Sequence, residues 1–229
     1  MIKYGSVDID LNIKNYKNNA DILLESTDIK TTGRNKFNKF IKVPNESQIE
    51  ITEYFNNLLK ENYNWNWEYF HSGEPAGLHT DYLSFPNKWE SRDDECHVIL
   101  GVIIPLEWNS RQPYTVSYNR VSPIPRKLVY RQGEMRYIDN NDVFEYRTNW
   151  EYDPEVLKYN PKGTDYYKEY ADLKIDSVYE WKVGTALLFD TKRWHSSSWF
   201  LTDNKLPDIS TEYKRSIIGM ASINIKKYV

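Results

Sequence analysis

Gly77-Leu78-His79-Thr80-Asp81-Tyr82 places two metal-capable side chains, His79 and Asp81, one residue apart in a segment that suits extended backbone. In a strand, residues i and i+2 face the same side. If that side is the interior of a barrel or sandwich, an imidazole and a carboxylate converge on one point, and a distant second histidine would complete a facial triad for non-haem Fe(II). A His-x-Asp pair alone is a weak motif, so the surrounding segments decide its weight.

Immediately upstream, Gly73, Pro75 and Gly77 break the chain into a turn, so the His79 strand begins directly after a loop. Before that turn, Trp65, Trp67 and Tyr69 alternate with Asn66 and Glu68, the period of a half-buried strand. Earlier still, Ser47 and Glu50 have capping-box spacing, and Ile51, Tyr54, Phe55, Leu58 and Leu59 recur at helical intervals. They predict an amphipathic helix from Ser47 to Lys60. Residues 1–45 read as one or two strands joined by irregular segments, with Val7 to Leu11 supplying an alternating pattern. Arg34 to Lys42 interleaves cations with aromatics, which suits a single-stranded nucleic-acid surface. An edge strand kept soluble by lysines is the preferred reading.

Downstream, Val98 to Leu106 is too β-branched for a helix and apolar on both faces, which predicts a central strand with Pro105 marking its end. Tyr114 to Tyr118 reads as a short strand. Residues 121–177 are polar, Tyr-rich and punctuated by turn residues, and read as an insertion carrying a short helix from Asp165 to Leu173. A lid or substrate wall and a plain surface elaboration are both open for it. Val178 to Trp181 restores a strand. A turn at Lys182-Val183-Gly184 then launches Thr185 to Asp190, which ends just before His195. After a polar loop over residues 202–212, Lys214 to Ala221 reads as the last strand. Arg215 in that otherwise apolar strand is costly to bury alone and calls for a carboxylate.

The chain has 229 residues, 40% of them hydrophobic and 15% aromatic, enough for a substantial core in one domain over residues 1–229. Its net charge of -3 argues against the whole chain being a nucleic-acid footprint. Cys96 is its only cysteine, so there is no internal disulfide, as fits a reducing compartment. No apolar run reaches membrane-spanning length, and the N-terminus lacks a signal-peptide core. The expectation is a soluble, cytoplasmic protein.

Taken together, these residues resemble the Fe(II)- and 2-oxoglutarate-dependent oxygenase superfamily, in particular its prolyl-hydroxylase and phytanoyl-CoA-hydroxylase-like members. The matching pieces are His79-Thr80-Asp81, Gly184 to Phe189 running into His195, and Arg215-Ser216-Ile217, within a region from about Trp65 to Ala221. The resemblance implies a mostly β fold with flanking helices, a double-stranded β-helix or cupin-like jelly roll, with the 47–60 helix packed outside. It implies His79, Asp81 and His195 as ligands of Fe(II), with 2-oxoglutarate and O2 as cosubstrates. Arg215 would then hold the oxo acid's distal carboxylate in a bidentate pair. The implied reaction is hydroxylation of a small molecule, amino acid or peptide side chain, with 2-oxoglutarate converted to succinate and CO2.

Three departures accompany the resemblance. Arg215 follows His195 by twenty residues, longer than the family's usual interval, and the 202–212 loop accounts for the excess. The hydroxyl often found two positions after the arginine is replaced by Ile217, with Ser216 beside it. His79 and His195 are 116 residues apart, so the 121–177 insertion must be absorbed. Two other readings stay open: a cupin-like metal enzyme that does not use 2-oxoglutarate, and a catalytically inactive jelly-roll binding module. His71, His97 and Cys96 are read as structural, and Trp194 and Trp199 as apolar shielding.

Overall fold

A computed structural model of the chain describes residues 5–26, 38–73, 76, 79–86, 95–122, 126–131, 134–138, 153–159, 173–198 and 213–224. The elements begin with β1 (Gly5–Asp8), α1 (Ile13–Ser26), β2 (Asn38–Lys42), α2 (Asn45–Leu59) and β3 (Asn64–Ser72). There follow β4 (Leu83–Pro86), β5 (Glu95–Trp108), β6 (Tyr114–Val121), β7 (Arg126–Arg131), β8 (Glu134–Ile138) and α3 (Pro154–Tyr159). The chain closes with β9 (Ile175–Glu180), β10 (Thr185–Asp190), β11 (Arg193–Ser197) and β12 (Lys214–Asn224).

β5 is the central strand that its composition predicts. One edge pairs antiparallel with β12 from Cys96 to Trp108, and the other pairs with β10 at Leu100–Ile103 and with β4 at Glu95–His97. β3 and then β2 lie beyond β12, and β1 lies beyond β10. A smaller sheet, ordered β11-β6-β9, faces this one. The chain passes repeatedly from one sheet to the other, which is the winding of a jelly roll.

The outer face of the large sheet carries the main core. Trp67 and Tyr69 of β3, Leu100, Val102 and Ile104 of β5 and Ile217 and Ala221 of β12 pack against Tyr16 and Ala20 of α1 and Ile51 and Phe55 of α2. α2 is fixed to β3 by two indole donors, Trp67 Nε1 to Thr52 Oγ1 at 3.0 Å and Trp65 Nε1 to Asn56 Oδ1 at 2.8 Å. On the smaller sheet, Val116, Tyr118 and Trp194 pack with Val156 of α3.

Several expectations are corrected. Residues 1–45 hold a helix, α1, as well as strands. Ile13, Tyr16, Ala20 and Leu23 have the spacing of a helical face, which the many Asn and Lys residues between them obscure. Asn12 Oδ1 caps it, accepting the Asn15 N–H at 3.2 Å. α2 starts at Asn45, with Pro44 as N-cap and no side-chain cap hydrogen bond, so the Ser47–Glu50 spacing does not act as a capping box. β5 runs through Pro105 to Trp108. Its pairing with β12 shifts between Arg215 and Ser216, beside the residue that has no N–H for the ladder.

Within the 121–177 segment, β7 and β8 form a hairpin, and β7 pairs parallel with β4 to extend the large sheet. The short helix there is Pro154–Tyr159; residues 165–172, where one was expected, lie outside the described residues. Arg34 to Phe37 and the 202–212 loop lie outside them as well, while Asn38–Lys42 is an edge strand of the large sheet. Among the described residues no helix is long and apolar enough to cross a membrane.

Candidate metal centre and its cavity

The segment carrying His79 joins the small sheet through one bridge to β11. His79 N–H donates to His195 O at 3.0 Å, and His195 N–H returns to His79 O at 2.9 Å. This reciprocal pair puts both histidines on one side, with ring centroids 4.4 Å apart. Asp81 N–H then donates to Thr191 O at 3.1 Å, while Thr191 Oγ1 donates to Val98 O at 2.7 Å. Fully buried Thr191 therefore ties the β10–β11 turn to β5 and positions the carboxylate. Residues i and i+2 of an extended segment converge as their spacing predicts.

Asp81 lies with Oδ1 3.7 Å from His79 Nε2 and Oδ2 3.3 Å from His195 Nε2. One ligand atom from each residue falls within 4.8 Å of the others, the one such group found among the described residues. Two imidazole nitrogens and a carboxylate oxygen are a donor set suited to a non-haem divalent iron. His195 Nδ1 lies 3.0 Å from Arg193 O, a carbonyl that only accepts, so Nδ1 carries the proton and Nε2 is left as a ligand atom. Above it, the Phe189 ring sits 4.7 Å from the His195 ring and directly over Gly101, where a Cβ would meet it at 2.1 Å. Only glycine leaves room for this apolar cover.

A cavity of about 190 Å³ runs past His195 between the two sheets. Its lining includes Ser117 and Ser177, level with His195, and Thr115 and Tyr179, which pair along the small sheet at the level of Ser197. Next to this wall, Trp181 Nε1 donates to Thr115 Oγ1 at 3.0 Å. Lys214, only 2% exposed, donates to Ser197 Oγ and lies over the Trp181 ring at 4.6 Å. Burial pulls its pKa down to about 7. Ser216, on the same face of β12, is 1% exposed, and its hydroxyl has no hydrogen-bond partner among the described residues.

Arg215 is on the opposite face. Its Nη1 donates to Asp21 of α1 and, at 2.6 Å, to Glu107 of β5, and its Nε donates to His71 Nδ1 at 3.0 Å. Lys17 joins this group through Glu107 at 2.6 Å. The carboxylates that Arg215 calls for are thus supplied by the protein, under α1 and away from the triad. His71, expected to be structural, lies in this network. Desolvation and then the Arg215 charge pull its pKa down to about 4. His97 is partnered by Tyr82 at 2.9 Å, Cys96 is buried, and Trp194 lies in the outer core of the small sheet. Trp199 lies outside the described residues.

Lys214, Ser216 and Thr191 escape the sequence reading. A signal for the first two is present: a hydroxyl two positions after the strand's cation is found once that cation is Lys214 rather than Arg215.

No protein-family model matches the chain, and no curated protein matches it. Among solved structures it is similar to SnoK, a non-heme alpha ketoglutarate dependent carbocyclase from nogalamycin biosynthesis, at 12% identity and a TM-score of 0.50, over 96% of this chain and 80% of that one. It also aligns with the epimerase SnoN at 10% identity and a TM-score of 0.49, over 97% and 82% of the two chains. A Pseudomonas putida prolyl-4-hydroxylase aligns at 8% identity and 0.46, over 96% and 92%. The class defined here is one of fold: the jelly roll of this chain is the fold of SnoK.

Proposed function

We propose that this protein is a non-haem Fe(II)- and 2-oxoglutarate-dependent oxygenase, and that Lys214, not Arg215, receives the distal carboxylate of the oxo acid. The observation that carries this reading is the cluster of His79, Asp81 and His195, with His195 lining the cavity, together with a buried lysine whose hydroxyl contact, Ser197, lies two residues beyond His195 on β11. The alpha ketoglutarate dependence in SnoK's description agrees with this reading at the level of fold.

His79, Asp81 and His195 would hold the iron, which supplies the activation of O2 and the oxidation of substrate. The remaining work falls to the chain. Arg193 O fixes the His195 tautomer, and Thr191 O fixes Asp81. Ser197, the contact of Lys214, lies two residues beyond His195, roughly 6.6 Å along the strand. A five-carbon dicarboxylate spans a comparable length, so one end would lie at the triad while the other meets Lys214 and the Ser216 hydroxyl. Phe189, which lines the cavity against the His195 ring, would limit water at the metal end.

The test is an anaerobic titration of Fe(II)-loaded protein with 2-oxoglutarate, following the visible charge-transfer band of a chelated oxo acid. The wild type is expected to give the band, His195→Ala to give none, and Lys214→Met to need at least about tenfold more oxo acid, the effect of losing a charge-assisted contact. Iron binding without a band would favour a metal enzyme of this fold that uses no oxo acid. An unchanged midpoint in Lys214→Met would remove the anchor assignment.

A further inference from the structure

The outer end of the cavity is built differently from its interior. Where the wall beside His195 is hydroxyl-lined and buried, the rim holds Arg193, Asp176 and Asp190. Arg193 Nη1 pairs with Asp176 Oδ2 at 3.1 Å and approaches Tyr118 O at 3.4 Å. Asp190 Oδ1 accepts the Lys192 N–H at 2.9 Å. The side chains of Arg193 and Asp176 are 34% and 42% exposed, so this rim meets solvent while His195, at 6%, does not.

The backbone is interrupted at this level. β6 loses register with β9 between Ser117 and Tyr118, leaving Asp176 as an extra residue, and loses register with β11 between Arg193 and His195. Strict alternation would send Asp176 to the outer face with Val178, which packs in the small-sheet core. The bulge turns it toward Arg193 instead. Bulges that give up ladder pairing to re-aim a side chain occur beside ligand sites.

We infer that the substrate carries an α-amino-acid head group, an ammonium and a carboxylate on one carbon, recognised at this rim by Arg193 and Asp190. The inference rests on the oxygenase reading and names the substrate class of that site. Among the described residues Arg193 uses only Nη1, for Asp176 and Tyr118, which leaves its Nε and Nη2 edge for the planar, two-oxygen pairing that guanidinium offers a carboxylate. Among the described residues Asp190 spends one oxygen on the turn, and the other would receive an ammonium. Asp176 holds the guanidinium in place. With two carboxylates and one guanidinium, the rim carries a net charge of -1, so a carboxylate arriving without an ammonium meets net repulsion. Arg193 stands two residues before His195 on the same strand, so a head group held at the rim directs its side chain into the cavity toward the triad.

The experiment is calorimetric binding of the common L-amino acids, one at a time, to anaerobic protein loaded with Fe(II) and 2-oxoglutarate. The best binder is then compared with its amide, which keeps only the ammonium, and its N-acetyl derivative, which keeps only the carboxylate. Each derivative is expected to bind at least about tenfold more weakly than the free amino acid. Arg193→Met should abolish the preference over the amide, and Asp190→Asn the preference over the N-acetyl derivative. Equal binding of all three compounds, or no amino-acid binding while the charge-transfer band forms, would overturn the inference. Absence of the band would instead count against the oxygenase reading; the same calorimetry on metal-free protein would still report whether the rim selects the head group.

Discussion

Lys214 and Arg215 are neighbours in one strand, yet they live in different chemical worlds. Arg215 shares the helix-covered face with Ile217 and Ala221 and is surrounded by Asp21, Glu107 and His71. Lys214 shares the opposite face, toward the small sheet, with Ser216 and meets a serine hydroxyl and an indole. The difference follows from the two-residue period of a strand, in which a shift of one residue exchanges core for cavity. Arg215 is the more conspicuous cation, but it completes a structural network that pins α1 to the large sheet. On the opposite face, Lys214 is buried between the sheets, and that burial lowers its pKa.

The largest effect expected at the cavity is loss of the metal. Asp81→Ala should lower oxo-acid turnover by at least about a thousandfold, while the melting temperature moves by only a few degrees, since the triad lies at the cavity rather than in the core. Succinate production close to wild type would sink the ligand assignment. Next, the two cations of β12 should separate cleanly. Lys214→Met should weaken oxo-acid binding and raise thermal stability, because an apolar chain of similar size replaces a desolvated charge. Arg215→Met should leave oxo-acid binding near wild type and cost about 2–4 kcal/mol by chemical denaturation, because Asp21 and Glu107 lose their shared partner. The reverse pattern would place the oxo acid with Arg215.

A pair of glycines extends the contrast between faces at smaller cost. Gly219 lies under Trp67, where a Cβ would meet the ring at 2.0 Å, and Gly101 lies under Phe189 on the cavity side. Gly219→Ala should cost about 1–3 kcal/mol of stability alone. Gly101→Ala should also weaken iron binding, by driving Phe189 toward His195.

The smallest expected effect is on pH dependence. His71 is held neutral in the fold, with a pKa near 4 against an ordinary 6.5, so the unfolded chain takes up its proton first. Its contribution to stability is present above about pH 6.5 and is lost as the pH falls toward 4. Denaturant midpoints measured across that window should fall less steeply in His71→Asn.

How much of this could be read beforehand depends on which residues carried the signal. α2, β3 and β5 were legible because Ile51 and Phe55, then Trp67 and Tyr69, then Leu100 to Ile104 repeat at the period of their element. α1 was not, because its apolar positions are few and separated by Lys and by several Asn, which lower helix propensity, so the face shows only where the sheet buries Tyr16. Pro105 does not end β5, because the β12 register shifts beside it and so accommodates the missing donor.

By itself the sequence determined a mostly β chain with one supporting helix, and it marked His79, Asp81 and His195 as residues of one site. Hydrophobic periods and the i, i+2 rule are local, and they need no knowledge of what lies opposite. Only the tertiary structure decided which face of β12 looks toward the small sheet, and so which of Lys214 and Arg215 lies between the sheets. It also decided that bulges beside β6 would gather Arg193, Asp176 and Asp190 at one rim. Facing and register are fixed by partners far away in sequence: α1 and Glu107 for Arg215, Ser197 and Trp181 for Lys214. No stretch of β12 read alone contains them.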